Sequence, residues 1–583
     1  MPPENGVEAS PLPIDLLHWS LALVPIVVLL ILLVGRRWSA PEAGPIGVFA
    51  AALIAIFAFQ TPLDTLAVAG GKGVWDAIFI LFVVWPALLL YRVTEKAGAF
   101  VALRHGIERF SDNQLFLVLG FGWVFASFLQ GIAGFGTPIA VVAPLLIAIG
   151  VRPLYAVVIP LIGHAWANMF GTLAVGWLAT LQVVTLENEM ATAFQTAILL
   201  WIPNIVAGFT IAWLFGRWAA VRHAVPFVLI ITVIHGGGQL LLTLWDPVLS
   251  NFLASSLGLL ALYPLSRWAL YKKDTDSIPD RPAMKESKSS EEREEAAPEP
   301  VMSLGMAGMP YIVLTLATII ALVPAPIEQR LDQFEIGLPF PAVQTGYGHV
   351  VQPEEADEEE AEPDAAAEQP DVMPADGIIE EEEAETYSPF APLTHPGTFL
   401  LLSSLVAALV YRQRGYYKEW DERAEETQGI WSGLAEDAVP ASVAVIAFLV
   451  MSKMMDHSGQ IEVLALGIAG VAPPLVFAFL SNWIGVLGAF MTSSNTASNI
   501  LFAPLQQETV QALGGLSEST IIGAQSAGGA IGNAIAPANV VLGTGTAGIV
   551  GQEGNVLRKT LPWALAVAVA TGGATILINL FTV

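Results

Sequence analysis

Long apolar runs constrain this chain more than any other feature of its sequence. Residues 21–35 and 74–91 are two of them, and each approaches the ~20 residues that an α-helix needs to cross ~30 Å of hydrocarbon. Of the 583 residues, 54% are hydrophobic and only 13% are charged. A water-soluble protein of this length would need a more charged surface to stay dispersed. The sequence therefore predicts a membrane protein that crosses the bilayer many times.

The acidic residues are concentrated in two segments of the chain. The formal net charge is −27, and 28 of the 52 Asp and Glu residues lie in residues 272–302 and 326–391. Because phosphate groups repel such segments, we expect no nucleic-acid partner. Loops rich in acid and poor in lysine are typical of proteins that function in high salt, which favours a halophilic source. The absence of cysteine excludes disulfides, iron–sulfur clusters and thiolate zinc sites.

Two of the apolar regions are interrupted. Residues 114–150 are broken by glycine and proline between positions 130 and 138, and residues 473–505 are broken by a polar stretch. If both regions are re-entrant hairpins, the arginine and lysine clusters of the loops fall on one side of the membrane. The positive-inside rule makes that side cytoplasmic, and it places the N-terminus outside.

Three charged residues stand apart from this layout. Lys72 and Lys453 are exceptions to the one-sided distribution of basic residues. Asp76 follows Trp75 within an apolar run. Tryptophan and polar residues are enriched where a helix meets the membrane surface, so we expect Trp75 and Asp76 to be interface anchors.

The pattern as a whole predicts an all-α polytopic membrane protein with about 12 spanning helices plus two re-entrant hairpins, in two inverted-topology repeats. Residues 1–271 form the first membrane repeat, with a hairpin at 114–150 and a broken helix at 154–181. Residues 272–302 form an acidic cytoplasmic linker between the repeats.

The second membrane repeat takes residues 303–583. It contains an extracellular acidic insertion at 326–391, a hairpin at 473–505 and a broken helix at 520–545. Paired hairpins and broken helices in inverted halves are typical of secondary transporters, which bind substrate near mid-membrane between the repeats.

The second interrupted region carries a dense group of polar side chains. Residues 492–499 read Thr-Ser-Ser-Asn-Thr-Ala-Ser-Asn, with polar side chains at every position except the alanine. Such residues supply neutral oxygens for a sodium ion and hydrogen-bond donors for a carboxylate. A helix that begins at such a break also directs free N–H groups at a bound anion. The competing interpretation is helix capping and close packing, but the cost of intramembrane polarity favours a binding site.

We therefore predict a substrate site between the hairpins and the broken helices. His164, the only histidine or charged side chain in residues 154–181, is either a proton carrier or a neutral histidine at a helix interface. Ser494, Asn495 and Thr496 are candidate ligands of a sodium ion. The predicted substrate-binding residues are Gly134, Gly136, Thr137, His164, Asn168, Ser493, Ser494, Asn495, Thr496, Ser498, Asn499, Gln525, Ser526 and Asn533.

The same regions resemble the lactate permease family. Residues 134–138 (Gly-Phe-Gly-Thr-Pro) and 143–146 resemble its first-half signature, and residues 487–506 and 528–558 contain its second-half signature. The resemblance covers both halves but not the acidic insertions. It implies proton-coupled symport of lactate, glycolate or a similar 2-hydroxy monocarboxylate. It also implies kinship with a broader ion-transporter superfamily whose Ser-Asn-Thr motifs bind sodium and carboxylate.

Two residues depart from the family pattern. Family members often carry an acidic residue where this chain has Asn495, and a lysine where it has Asn533. Without that charge pair, residues 494–496 are more similar to a sodium clamp. The coupling ion therefore stays open between proton and sodium.

The sequence as a whole predicts a secondary active transporter in the plasma membrane. Its partners are a small carboxylate substrate and the lipid bilayer, and it needs no cofactor beyond the coupling ion. The alternatives are a transporter of another small organic anion or a sodium/proton exchanger of the same superfamily. An intramembrane enzyme is disfavoured, because the apolar regions contain no aspartate pair, zinc-binding cluster or activated nucleophile.

Overall fold

The chain is an all-α polytopic membrane protein in the computed structural model. Ten helices of the described chain are long and apolar enough to cross a membrane, or eleven when a pair bent by 54° counts as one span. The ten include two hairpin helices, Gln114–Ile132 and Pro474–Thr492. The number is below the expected number of about 12 spans besides the hairpins, because the two broken helices are not among the ten and two expected spans fall within one helical stretch, Glu189–Leu242. The described residues are 12–36, 38–109, 111–134, 136–272, 278, 280–285, 299–322, 324–347, 350–351, 386–423 and 429–582.

Several helices of the first half begin at a side-chain cap. The Asn113 side chain accepts a hydrogen bond from the Phe116 N–H at 2.9 Å, and Asp246 does the same for Val248 at 2.7 Å. The helices are Leu16–Gly35, Ala40–Phe57, Leu63–Lys96, Ala99–Glu108, Gln114–Ile132, Thr137–Ala148, Pro153–Gly163, Gly171–Leu181, Glu189–Leu242 and Pro247–Arg267.

The second half adds a small insertion of strands to its helices. Strand Ile336–Pro339 pairs antiparallel with Thr386–Phe390, and Val343–Gln344 pairs with Val350–Val351. Most of the predicted acidic insertion and linker lies outside the described residues. The helices are Leu304–Leu322, Ala325–Asp332, Pro396–Gln413, Tyr416–Arg423, Ile430–His457, Gln460–Ala469, Pro474–Thr492, Asn495–Leu513, Glu518–Gly532, Pro537–Thr546 and Glu553–Thr582.

The two halves share one succession of elements. Helices Leu63–Lys96 and Ile430–His457, here called the scaffold helices, pack against each other. Each is followed by a glycine in the left-handed region, Gly98 with φ 71° and Gly459 with φ 78°. A ten-residue helix then leads into a hairpin and a broken helix in both halves. That the halves have inverted topologies stays a prediction.

Each interrupted region is a pair of helices joined by a tight turn. The first hairpin consists of Gln114–Ile132 and Thr137–Ala148, and the second of Pro474–Thr492 and Asn495–Leu513. The helices of each hairpin pack against each other. Whether the hairpins re-enter or cross the membrane is not defined by this packing, so re-entry stays a prediction.

The broken helices follow the hairpins directly. The first consists of Pro153–Gly163 and Gly171–Leu181, and the second of Glu518–Gly532 and Pro537–Thr546. In both, a single tight helical turn comes before the second part, at Ala165–Ala167 and Asn533–Ile535 respectively.

Glycines let each broken helix touch the hairpin of its own half. A Cβ at Gly163 would lie 2.0 Å from the Gly122 carbonyl oxygen, and one at Gly528 would lie 1.9 Å from the Asn482 carbonyl oxygen. Both contacts join the first part of a broken helix to the first helix of a hairpin. Such backbone approach is typical of membrane helix packing, and here it brings hairpin turns and helix breaks together.

Candidate functional site

The turn of the second hairpin contacts the break of the second broken helix. Ser493 sits at the turn with φ 57°, in the left-handed region. Its Oγ accepts a hydrogen bond from the Ala538 N–H at 3.1 Å, at the start of helix Pro537–Thr546. The Ser494 Oγ accepts from the Ala497 N–H at 3.2 Å and so caps the following helix. The partly exposed Thr496 lies in that helix's first turn.

Two asparagines of the second hairpin point at the break of the first broken helix. The Asn495 and Asn499 Nδ2 groups lie 3.7 and 3.2 Å from the Met169 Sδ. Asn495 is 4% exposed, and its Oδ1 has no hydrogen-bond partner among the described residues. An unpartnered buried amide oxygen is costly, which marks this position as one that a ligand would satisfy.

Asn495 fits between two glycines of the two broken helices. A Cβ at Gly176 would lie 3.1 Å from the Asn495 Nδ2, and a Cβ at Gly529 would lie 2.1 Å from its Oδ1. Any larger residue at position 529 would therefore displace the amide. The side chain of Asn495 is thus held where elements from both halves meet.

A buried hydrogen-bond network supports these asparagines from behind. The Gln525 Nε2 donates to the carbonyl oxygen and Oγ of Ser498 at 3.2 Å each, and it lies 3.4 Å from the Asn499 Oδ1. The Gln506 Nε2 donates to the Gln525 Oε1 at 2.6 Å. The neighbouring Ser526 Oγ is buried and has no partner within the described chain. The network fixes the orientation of Asn499, while the Ser526 hydroxyl stays available for a hydrogen bond to a ligand.

The turn of the first hairpin is held by the first broken helix. The Gly134 N–H donates to the Thr172 Oγ1 at 2.7 Å. Thr172, Leu173 and Ala174 have φ values of 54°, 48° and 59°. For residues with a Cβ, the left-handed conformation costs roughly 1–2 kcal/mol each, and such strain clusters at functional sites.

The first hairpin turn also reaches the other half of the molecule. Gly136 has φ 85°, and a Cβ there would lie 2.4 Å from the Leu542 Cδ2 of the second broken helix. Thr137, which is 5% exposed, begins the next helix. Each hairpin turn thus meets the broken helix of the opposite half.

The two helix breaks are joined by asparagines. The Asn533 Nδ2 donates to the Asn168 Oδ1 at 2.9 Å, and the Asn539 Nδ2 donates to the Asn533 Oδ1 at 2.8 Å. Asn168 in turn donates to the Ala165 carbonyl oxygen at 2.9 Å. This chain of hydrogen bonds links the tight turns of both broken helices, and it includes Asn539 beside the predicted residues Asn168 and Asn533.

His164 has a different environment from the other predicted residues. It is 2% exposed, and its Nδ1 lies 2.5 Å from the Pro160 carbonyl oxygen of its own helix. The proton-carrier role stays a prediction. Among the described residues no group of three or more His, Asp or Glu side chains could hold a metal ion. The candidate sodium ligands are neutral oxygens of serine, asparagine and threonine, so the absence of such a group among the described residues does not bear on them.

The electrostatics of the site come from backbone rather than from charged side chains. Helix N-termini carry free N–H groups and a partial positive charge. The predicted site residues include no acidic or basic side chain other than His164. A small anion is the ligand that such a site accommodates best. Three right-handed helices begin at the hairpin turns and helix breaks: Thr137–Ala148, Asn495–Leu513 and Pro537–Thr546. Gly171–Leu181 is not one of them, because residues 172–174 have left-handed φ values.

Sequence analysis missed a group of buried charges on the scaffold helices. Asp76 is 0% exposed rather than an interface anchor, and the Lys453 Nζ lies 3.6 Å from its Oδ2. The Tyr387 Oη donates to the same oxygen at 3.0 Å. Lys72 is also buried, one helical turn before Asp76. The signal was present, because both lysines broke the one-sided pattern of basic residues.

Comparison with known proteins identifies the family. Residues 19–581 match the L-lactate permease family. This chain belongs to the L-lactate permease family. It is 27% identical to glycolate permease GlcA of Escherichia coli (strain K12), over 95% of this chain and 94% of that protein. It is 26% identical to the L-lactate permease of Halalkalibacterium halodurans, over 96% of each chain.

The resemblance seen in the sequence motifs is confirmed by this match. As a member of a permease family, the chain is a membrane transporter rather than an enzyme. The site residues are therefore candidate substrate contacts. Among solved structures, the chain is similar to the YdaH transporter of Alcanivorax borkumensis, and the match covers 88% of this chain and 87% of that one. The two structures superpose with a TM-score of 0.37 at 14% sequence identity.

Proposed function

We propose that this protein imports lactate, glycolate or a similar 2-hydroxy monocarboxylate across the plasma membrane by cation symport. The names of its relatives support the substrate class, since they are a glycolate permease and L-lactate permeases. The chemistry of the site supports it independently.

The arrangement of Asn495 and Asn499 around Met169 carries the proposal. Both amide N–H groups face a thioether sulfur, which is a weak acceptor. A carboxylate that replaced this sulfur would form charge-assisted hydrogen bonds, which are roughly twice as strong as neutral ones. The free Oδ1 of Asn495 is an acceptor suited to the 2-hydroxyl group. One carboxylate and one neighbouring hydroxyl therefore match the donors and the acceptor of this place.

The balance of polar groups favours a monocarboxylate. The second hairpin turn offers Ser493, Ser494 and Asn495, whereas residues 131–138 of the first offer only Thr137 as a polar side chain. A dicarboxylate would need a second clamp of similar strength. Helix N-termini stabilise one negative charge, and a co-transported proton or sodium ion compensates it across the cycle.

Uptake by purified protein in liposomes tests this function. L-lactate and glycolate uptake is measured with an imposed proton gradient and with an imposed sodium gradient, separately. We expect accumulation under one of the two gradients. Asn495→Ala removes the amide that would bind the carboxylate and the 2-hydroxyl group. We expect uptake to fall at least about tenfold, which corresponds to a loss of about 1.4 kcal/mol in the free energy of substrate binding.

Asn579→Ala is the matched control for Asn495→Ala. Asn579 is also buried, but both of its amide atoms are bonded within the fold, to the Ser517 N–H and the Thr575 carbonyl oxygen. This variant should lose stability without a selective loss of uptake. Folded wild-type protein that neither accumulates nor exchanges any 2-hydroxy acid would overturn the proposal. Proton–sodium exchange without acid movement would favour the exchanger alternative.

A further inference from the structure

The scaffold helices are joined by two ion pairs that occupy equivalent positions. Asp76 and Asp437 each stand twenty-two residues before a left-handed glycine, Gly98 and Gly459 respectively. Arg92 and Lys453 each stand six residues before the same glycines. The cation of one helix pairs with the aspartate of the other in both cases. Since sixteen residues separate the partners on each helix, the pairs are about 24 Å apart along the helix axes.

The two pairs differ in chemistry and in access to water. Arg92 donates to Asp437 through Nε at 2.9 Å and Nη2 at 2.6 Å, and to Glu95 at 2.8 Å. The Asp437 side chain is 34% exposed. A guanidinium is always charged in proteins, so this pair is permanent. Lys453 and Asp76 are instead 7% and 0% exposed, and a lysine–carboxylate pair exchanges protons more readily.

Tyr387 seals the buried pair. Its hydroxyl donates to the Asp76 Oδ2 at 3.0 Å, and the ammonium groups of Lys72 and Lys453 lie 4.8 and 5.4 Å from its ring centroid. This tyrosine comes from strand Thr386–Phe390, whose Ser388 carbonyl oxygen accepts from the Trp75 Nε1 at 3.0 Å. The covering group thus belongs to the insertion rather than to a spanning helix.

The charged and titratable groups facing Asp76 come from three elements. Lys72 lies on its own helix, Lys453 lies on the other scaffold helix, and Tyr387 lies on the strand. Asp456 of the other scaffold helix interacts with both lysines, and Glu508 of helix Asn495–Leu513 interacts with Asp456. His457 lies 3.3 Å from Asp456. Other elements also pack against Leu63–Lys96. Of these, helix Gly171–Leu181 and strand Val343–Gln344 have no charged residues, and helix Pro396–Gln413 begins after His395, whose ring centroid lies 4.6 Å from that of Phe79.

The cluster is connected to both halves of the substrate site. The Ser452 Oγ, next to Lys453, donates to the Ile500 carbonyl oxygen of the second hairpin at 3.0 Å. The Ser388 Oγ, next to Tyr387, donates to Gln182 at 3.1 Å, directly after the first broken helix. Movement of either element during transport would therefore act on the pair.

We propose that Asp76, held by Lys453 and Tyr387, is the proton-binding residue that couples transport, and that Arg92–Asp437 is its permanent structural counterpart. This inference rests on the proposed function and selects the proton as coupling ion. A hydronium ion from the outer solution gives its proton to an Asp76 carboxylate oxygen, which breaks the ion pair and releases water. The lysines are then left with excess positive charge, which favours entry of the substrate anion. Release of the anion and of the proton inside restores the pair, so one proton moves with one carboxylate.

Matched neutral variants of the two aspartates test the proposal. In liposomes, Asp76→Asn should keep exchange of labelled for unlabelled L-lactate but lose accumulation driven by a pH gradient. It should also lose lactate-dependent alkalinisation of the outer solution. Asp437→Asn should keep both proton-driven accumulation and alkalinisation while its thermal stability falls. Accumulation and alkalinisation at the wild-type level in Asp76→Asn would overturn the inference.

A second variant keeps the test decisive if Asp76→Asn does not fold. Tyr387→Phe retains the ring over the lysines but removes the hydroxyl that stabilises the carboxylate. The pH profile of lactate uptake should shift to higher pH, and an unchanged profile would overturn the inference. Wild-type uptake driven by sodium without proton movement would also overturn it, while leaving the proposed function intact. Absence of any lactate exchange by the wild type would instead contradict the proposed function.

Discussion

At the scale of single residues, the site depends on small residues that admit polar ones. Asn495 reaches Met169 only because Gly176 and Gly529 leave room for its amide. The glycines of the broken helices therefore act through the position of Asn495 and do not themselves need to contact substrate. Sequence motifs show such glycines but do not show which side chain fills the space.

Gly529→Ala should abolish most transport without unfolding the protein. The added methyl group would lie 2.1 Å from the Asn495 Oδ1, so the amide must move. Alanine favours a helix interior by about 1 kcal/mol over glycine, so the helix itself should not suffer. Gly573→Ala, in a helix where nothing lies within 4 Å of the new Cβ, is the control. The measurement is L-lactate exchange, and equal rates in the two variants would contradict the role given to Asn495.

Thr172→Val should destabilise the turn of the first hairpin. Valine has nearly the shape of threonine but cannot accept the hydrogen bond from the buried Gly134 N–H. Leaving that donor unsatisfied costs about 1–3 kcal/mol. Thermal unfolding in detergent should show a lower midpoint than for Thr575→Val, whose hydroxyl bonds only within its own helix. Similar midpoints for both variants would mean that Thr172 does not hold the turn.

At the scale of elements, each hairpin turn meets the broken helix of the opposite half. Asn495 of the second hairpin contacts the first broken helix, and Gly136 of the first hairpin contacts the second. A movement of one half relative to the other must therefore change both contacts together. This reciprocal arrangement is what alternating access between two repeats would use.

Gly136→Ala tests the contact between the first hairpin and Leu542. Its φ of 85° makes any side chain unfavourable by roughly 1–2 kcal/mol, and the clash with Leu542 adds to this. Gly548→Ala shares the positive φ, 68°, but meets nothing within 4 Å, so it isolates the backbone cost. Adding Leu542→Ala to Gly136→Ala should restore part of the lost stability and uptake. A purely additive double variant would show that the two elements do not couple here.

At the scale of the whole molecule, charge is distributed unevenly. The predicted site residues include no acidic or basic side chain other than His164, while residues 326–391 carry nineteen acidic residues. Self-repulsion of this segment disfavours a compact protein at low salt. Strand Thr386–Phe390 also supplies Tyr387 to the buried pair and hydrogen-bonds to Trp75 and Gln182 through Ser388, so the insertion contacts the helices of the transporter.

Salt should stabilise the protein through this insertion. Raising KCl from 0.1 to 1 M shortens the screening length from about 10 Å to about 3 Å, so repulsion among the acidic residues falls. The thermal midpoint of purified protein should rise accordingly. Replacing Glu380, Glu381, Glu382 and Glu383 by glutamine should reduce the rise, and sucrose at equal osmolality serves as the control. An equal rise in both proteins would indicate a general solvent effect.

Much of the fold class and part of the site could be predicted because they depend on local properties. Apolar runs identify spanning helices, and backbone interruption within such runs identifies the two hairpins and two broken helices. The density of polar residues at 492–499 located the second hairpin turn, where Ser493 and Asn495 make cross-element contacts. These features depend on the preference of each segment for lipid, water or buried polar surroundings.

The tertiary structure alone decided which residues face one another. Asn495 lies against Met169, 326 positions away along the chain, and Asp76 pairs with Lys453 from the other half. The sequence supplied Asp76, Lys72 and Lys453 as irregular charges, and the same pattern would suit either a membrane surface or a protein interior. A helix face becomes exposed or buried through its packing partner, and that partner is distant in sequence. The sequence therefore determined the membrane class and the breaks, while packing of the two halves determined the contacts among their side chains.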